Sequence, residues 1–339
     1  MNIQAFAATA PKNLLEAFSY PEPDLAPTEV LIEVTHCGLC HSDIHLIDND
    51  WKRSIYPLVP GHEVIGKIVK KGSQVSFPLG ARVGCSWFFS SCLDCSTCLS
   101  GDNQFCAKRK ATCIGHHGGF ATHMTADSRF IFAIPEKLDS AVAAPLLCAG
   151  ATVYSPFRRF KIQATDRVAV LGIGGLGHLA IQFGKAFGCS VTAISTSPGK
   201  ENECRAFGAE HFLTLDQIAS KPAEFALSFD YILSTVHSTV DWNLICSLLK
   251  HTGTLCLLGK SPEPMSINGL SSFSSHRSIT GSSLANRFQI NEMLHFAAEH
   301  QIAPQIELMP MSQINEGLER LRQNKARYRI VLVQDGISP

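Results

Sequence analysis

Over residues 1–130, apolar and polar positions switch in short bursts. "EVLIEVTH" (29–36) alternates apolar and polar, "EVIGKIVKKGSQV" (63–75) carries two short β-branched runs, and "GARVG" (80–84) follows, each predicting a strand. Glycine and proline interrupt throughout, which suits a small β-barrel with long loops. From Leu138, "LDSAVAAPLLCAGATVYSPFRRF" changes to helical spacing.

Strand and helix alternate thereafter. "DRVAVLGIGGLG" holds a buried-type strand, Val168 to Leu171, that runs into a glycine turn. Leu176, Leu179, Ala180, Phe183 and Phe187 repeat at helical spacing, and Gly188 suits the helix end. "SVTAIS" (190–195), "HFLTL" (211–215), "DYILSTV" (230–236), "GTLCLLG" (253–259) and "SITGSS" (278–283) are further strands. Repeated strand–helix units predict a doubly wound parallel sheet. From about Asn286 the chain reads as two amphipathic helices and a last strand, "RIVLV". No internal repeat or low-complexity segment interrupts this order.

At 339 residues, 45% apolar and 17% charged, the chain is long enough for two globular domains. Lysine plus arginine equals aspartate plus glutamate, 29 each, so net charge gives no reason to expect nucleic acid. No apolar run reads as long enough to span a bilayer, and "MNIQAFAATAPKN" lacks a signal core. A cytoplasmic protein with no membrane partner is expected. In that setting thirteen cysteines argue for thiols, metal ligands and small buried residues rather than disulfides.

Gly172, Gly174 and Gly177 form G-x-G-x-x-G around Gly175 and Leu176. Such a pattern alone is weak. Here it follows a strand and opens a helix, the setting in which glycines let a backbone approach a pyrophosphate at a helix N-terminus. A glycine turn with another ligand is the alternative. After the next strand stand Ser195, Thr196, Ser197 and Lys200, with no carboxylate before Glu201. Hydroxyls and a cation suit the 2′-phosphate of NADP, which a carboxylate would repel. An ordinary polar loop would look the same.

Cys92, Cys95, Cys98 and Cys106 have C-x2-C-x2-C-x7-C spacing, compact enough to wrap one tetrahedral ion. Four thiolates close the coordination shell, so a zinc held this way is structural. Ferredoxin-type iron–sulfur spacing differs. A second set is dispersed: Cys40, His62 and Cys148. Two cysteines and a histidine would leave zinc one open position. Each alone could equally be a buried cysteine or a turn histidine, and Cys37 with Cys40 could be a redox pair.

Taken together, "CGLCHSDIH", "YPLVPGHEVIG", "CLDCSTCLSGDNQFC", "APLLCAGATVYSP", "GIGGLGH" and "YRIVL" resemble the zinc-dependent medium-chain dehydrogenase/reductase family, and within it the NADP-linked cinnamyl-alcohol-dehydrogenase branch. The motifs run in family order from residue 37 to residue 332. The resemblance implies a GroES-like β-barrel catalytic domain from residues 1–150 and 286–339, with a zinc lobe at about 85–110. A Rossmann doubly wound domain would occupy 151–285, with the active site in the cleft.

It implies catalytic zinc on Cys40, His62 and Cys148, with Glu63 as an alternate ligand, and structural zinc on the four clustered cysteines. Ser42 and His45 would relay a proton. His41, Thr152, Thr235, Gly259, Ser282 and Ser283 would join the glycine turn in holding NADP(H). The implied activity is hydride transfer between NADP(H) and a primary alcohol/aldehyde pair, mainly as an aldehyde reductase, by a homodimer.

A polyol dehydrogenase of the same superfamily is the near rival, although its usual carboxylate after the second cofactor strand is missing. A non-catalytic NADP(H)-binding zinc protein would not need an open metal site, and a zinc-ribbon nucleic-acid binder would need a basic face. Two departures bear on substrate preference. "GCSWFFSSC" (84–92) is unusually aromatic, and Asn286 and Arg287 stand where small residues are commoner. Trp51, Trp87 and Phe88 are the candidate aromatic walls of the pocket.

Overall fold

A computed structural model describes residues 1–259, 263–269 and 274–336. The chain forms two compact units: Met1–Ala151 together with the chain from Leu284 onward, and Thr152–Ser283.

In the first unit, seven strands make one sheet. Ile306–Pro310, Arg329–Val333, Glu29–Gly38, Glu63–Lys71, Arg82–Cys85 and Ile131–Ala133 lie in that order, and His123–Asp127 also pairs with Glu29–Gly38. The two β-branched runs expected over 63–75 are a single strand ending at Lys71. A hairpin of Asn2–Ala7 and Glu16–Pro21 is tied on through Ala5–Ala121 and Ala8–Leu58 bridges. Val30, Leu31, Ile32, Val64, Ile68, Ile330 and Leu332 are fully or almost fully buried in its core. Leu31 shows that both faces of the strand Glu29–Gly38 are covered, which the alternating pattern alone did not reveal.

Arg329 and Glu63 come from two strands that flank Glu29–Gly38. The register sets Glu63 directly opposite Gly38. Asn286 caps the helix Arg287–Glu299 by accepting from the Gln289 amide, and Arg287 donates to the Arg129 carbonyl over the Phe130 ring. These two residues therefore have a helix-starting and bracing role within this unit.

The second unit is a six-stranded, wholly parallel sheet. Numbered in chain order, its strands are Arg167–Leu171, Ser190–Ser195, His211–Thr214, Phe229–Ser234, Leu249–Leu257 and Ser278–Gly281, arranged 3-2-1-4-5-6. This is the doubly wound order, in which ligands bind beyond the strand C-termini where the order reverses, between strands 1 and 4. The helix Gly177–Ala186 buries Leu179, Ala180, Ile181 and Phe183. It ends at Phe187 and Gly188, the latter at φ +81°.

The continuous helical stretch Ser140–Arg159 does pass for a membrane span by length and composition, contrary to the sequence expectation. Yet 78% of its most apolar window is buried inside the protein, as in a core helix. Its middle, Leu146–Gly150, is a π-helical turn, one residue wider than α.

Ile232 is fully buried in central strand 4. Ile232→Ala should therefore lower unfolding free energy by about 2–5 kcal/mol, read from the urea midpoint. A loss well below that range would contradict the central placement of this strand.

Candidate active site

Four donors meet inside the first unit. The ligand atoms of Cys40, His62, Glu63 and Cys148 all lie within 4.8 Å of one another. Cys40 caps the helix His41–Ile47, and its sulfur accepts from the Ser42 amide at 3.5 Å. His62 and Glu63 stand at the start of the strand Glu63–Lys71. Cys148 sits in the π-helical turn, 3.4 Å from His62 Nε2.

Asp43, which the sequence reading missed, connects these pieces. It is fully buried; its Oδ1 accepts from His62 Nδ1 at 2.9 Å and from the Gly61 amide at 3.1 Å, while Oδ2 accepts from the Cys40 amide at 3.0 Å. A carboxylate on one imidazole nitrogen turns the other toward a metal. The signal was present in "CHSDIH": an aspartate three residues after a candidate ligand, on the same helix face. Arg329, also missed, pairs with Glu63.

Crowding perturbs every ionisable donor. A hydrogen bond from Cys148 draws the Cys40 thiol well below its usual range, and the same bond, with burial, holds Cys148 well above. Burial pushes Glu63 up to about 8, reinforced by Cys40 and opposed by Arg329. Burial disfavours the His62 cation, but the charge and hydrogen bond of Asp43 raise it overall. Two thiols, an imidazole nitrogen and a carboxylate in one buried space fit a divalent ion of borderline softness, with the protons removed.

The clustered cysteines also converge. Sulfur separations are 3.9 Å for Cys92–Cys98, 3.9 Å for Cys95–Cys106 and 3.5 Å for Cys92–Cys106. A tetrahedron with metal–sulfur arms of about 2.3 Å has edges of about 3.8 Å, whereas a disulfide needs about 2.05 Å. Amides of Cys95 and Lys108 donate to Cys92 and Cys106 sulfurs. Hydrogen bonds from the Asp94 and Cys95 amides draw Cys92 down to about 6. The donors fit a closed zinc site.

Trp87 packs edge-on to His62 with ring centres 4.9 Å apart, Trp51 follows at 5.7 Å, and His45 lies 5.2 Å from Trp51. Phe88 is elsewhere: it lines a small recess with Phe130 and Phe132. Ser42 and His45 lie three residues apart on one helix, so they share a face. His45 Nδ1 is bonded to Asp50 Oδ2 at 2.7 Å, another partner unseen in the sequence.

In the second unit, Gly172 has φ +88°, and a Cβ on Gly177 would lie 2.0 Å from the Gly172 carbonyl oxygen. The Thr235 hydroxyl donates to that same oxygen at 2.7 Å, so it braces the turn. A Cβ on Gly174 would meet no protein atom within 4 Å. Backbone packing therefore does not require that glycine, whereas close approach of a pyrophosphate does. The turn fits a dinucleotide.

Ser195 is buried, with its hydroxyl oxygen accepting from the Ser197 amide; Thr196 and Ser197 are exposed. Lys200 Nζ donates to the Ile173 carbonyl across the turn. Gly259 and Ser282 follow the C-terminal ends of strands 5 and 6, where their amides bond to Ser234 and Leu257 carbonyls. Ser283 follows Ser282, and Thr152 sits on the helix Ala151–Arg159. His41 belongs to the first unit, at the start of its short helix.

Two family models match: the alcohol dehydrogenase GroES-like domain over residues 26–136 and the zinc-binding dehydrogenase domain over residues 175–299. The chain is 41% identical to an aldehyde reductase, AdhA, of Synechocystis sp., across 97% of this chain and 98% of that one. It is 38% identical to a probable cinnamyl alcohol dehydrogenase of Arabidopsis thaliana, across 98% and 94%. Among solved structures, a cinnamyl alcohol dehydrogenase of Sorghum bicolor aligns with TM-score 0.93 at 34% identity, covering 98% of both chains. The Helicobacter pylori enzyme, solved with NADP(H), aligns with TM-score 0.89 at 29% identity, again covering 98% of both.

Asp43→Ala should weaken zinc at the first cluster by about 10–100-fold, measured by chelator competition, because His62 loses its orienting bond. Cys98→Ser should leave about one zinc per chain and lower the melting temperature, since a closed site couples metal to folding. Unchanged metal content and melting in Cys98→Ser would remove the lobe as a metal site.

Proposed function

The chain belongs to the zinc-containing alcohol dehydrogenase family, and on that premise we propose that it reduces aldehydes to primary alcohols with NADPH, using one catalytic and one structural zinc per chain. The observation that carries the reading is the meeting of Cys40, His62 and Cys148 beside an aromatic wall, three donors that leave a tetrahedral ion one position for substrate.

Bound there, zinc would act as a Lewis acid that polarises the carbonyl or acidifies the alcohol. NADPH would supply the hydride. The protein's own contribution is positional. Cys40, His62 and Cys148 hold the ion, and Asp43 fixes the His62 ring so that Nε2 faces it. Trp51 and Trp87, packed in series beside His62, offer flat apolar faces that would favour compact or planar aldehydes. Ser42 Oγ exchanges the alcohol proton. His45, held at Nδ1 by Asp50, passes it onward from Nε2.

NADP preference is supported by the Ser195–Ser197 loop without a carboxylate and by Lys200 beside the glycine turn. A small-molecule alcohol/aldehyde pair is the only partner this reading needs beyond a second copy of the chain as a homodimer, and the cytoplasm suits it.

The direct test is absorbance at 340 nm with NADPH and a panel of short aliphatic and aromatic aldehydes. Stoichiometric NADPH loss is expected; zinc-replete protein that binds NADPH and turns over none of the panel would leave only a binding role. For cofactor choice, a lysine–phosphate contact is worth about 1.5–3 kcal/mol, or roughly ten- to a hundredfold in affinity. Lys200→Ala should lower kcat/KM with NADPH by about that factor and leave NADH nearly unchanged. Equal losses with both cofactors would make Lys200 a brace of the turn instead.

A further inference from the structure

On three adjacent strands, Glu63 lies directly opposite Gly38, and Arg329 stands two residues before Val331, which pairs with Gly38 from the other side. The Glu63 side chain is fully enclosed and that of Arg329 is 7% exposed, and an Arg329 Nη2 donates to Glu63 Oε1. The pairing is incomplete. Among the described residues, Glu63 Oε2 and Arg329 Nε are buried with no hydrogen-bond partner. Burying charged atoms unpaired is costly, so such an arrangement calls for a reason.

The recess has a definite origin. A Cβ on Gly38 would lie 2.0 Å from Glu63 Oε2 and 3.1 Å from its Cβ and Cδ, and the other atoms nearby are not closer. Glycine thus leaves room for a carboxylate. On the other side, Glu63 Oε1 is 4.0 Å from His62 Nε2 and belongs to the same donor cluster as Cys40 and Cys148. One carboxylate has two places to be: the Gly38 recess against Arg329, or the donor cluster.

We propose that Arg329 is a positioning residue, whose guanidinium holds Glu63 in the recess opened by Gly38 and so keeps the fourth metal position clear for substrate. This rests on the metal reading of the Cys40, His62 and Cys148 cluster. Arginine suits the task because it stays charged when buried. Without that charge the carboxylate, an oxygen donor within 4.8 Å of the other three donors, would become the fourth ligand.

The test uses full-length protein with cobalt in place of zinc, read by its d–d absorption bands and by titration with imidazole as a single-nitrogen ligand. Arg329→Gln should shift the bands and weaken imidazole by about tenfold or more, with cobalt content unchanged. Adding Glu63→Gln to that variant should restore imidazole binding to the level of Glu63→Gln alone, a rescue that a merely structural arginine would not give. Gly38→Ala, which closes the recess with Arg329 intact, should reproduce the shift of Arg329→Gln, and it decides the matter if the glutamine variant fails to fold. Wild-type bands in Gly38→Ala or Arg329→Gln, or a double variant as weak as the single one, would overturn the proposal. Failure of wild-type protein to hold cobalt at Cys40, His62 and Cys148 would instead strike the metal reading beneath it.

Discussion

The buried carboxylate of Asp43 is the constraint on which the first unit's chemistry depends. It takes three N–H bonds, from the Cys40 amide, the Gly61 amide and the His62 ring, and so joins a helix start to the turn before a strand. Two donors that lie 22 positions apart in sequence are thereby fixed in one geometry. A fully enclosed carboxylate without those partners would be expensive to keep ionised. With them, its charge is shared among groups that must be ordered anyway.

The two cysteine-bearing sites solve different problems. At the lobe, four sulfurs from a single short stretch close around one point, and amide hydrogens steady the thiolates. Nothing there needs to admit a reactant. At the other site the donors arrive from a helix cap, a strand start and a π-helical turn, and an aromatic wall stands beside them. Assembly from dispersed elements leaves one direction unfilled, whereas a loop wrapped on itself does not.

Much of this was legible in the sequence because it is local. Hydrophobic period located the six parallel strands, and "GIGGLG" after a strand located the switch-point turn. The relatives at 41% and 38% identity bear out the family and the fold. What escaped was relational. Arg329 carries no local mark of its role, because it arises from which strand lies beside which, and Asp43 is marked only by its spacing from Cys40, since its partner His62 comes from a distant turn. Phe88 looked like Trp87's companion, but it opens the short strand Phe88–Ser90 and lines a different recess, with Phe130 and Phe132. Asn286 stood out in the sequence as a departure bearing on substrate preference, and in the fold its side chain caps a helix.

The π-helical turn at Leu146–Gly150 makes chain length itself a constraint. Each residue of an α-helix advances the chain by about 100° around the axis. The wide turn takes up the rotation of its extra residue, so removing one residue would restore regular winding and take away the position that brings the Cys148 sulfur to His62. Substitutions within the turn are therefore a matter of shape, while a deletion is a matter of which residue faces the site.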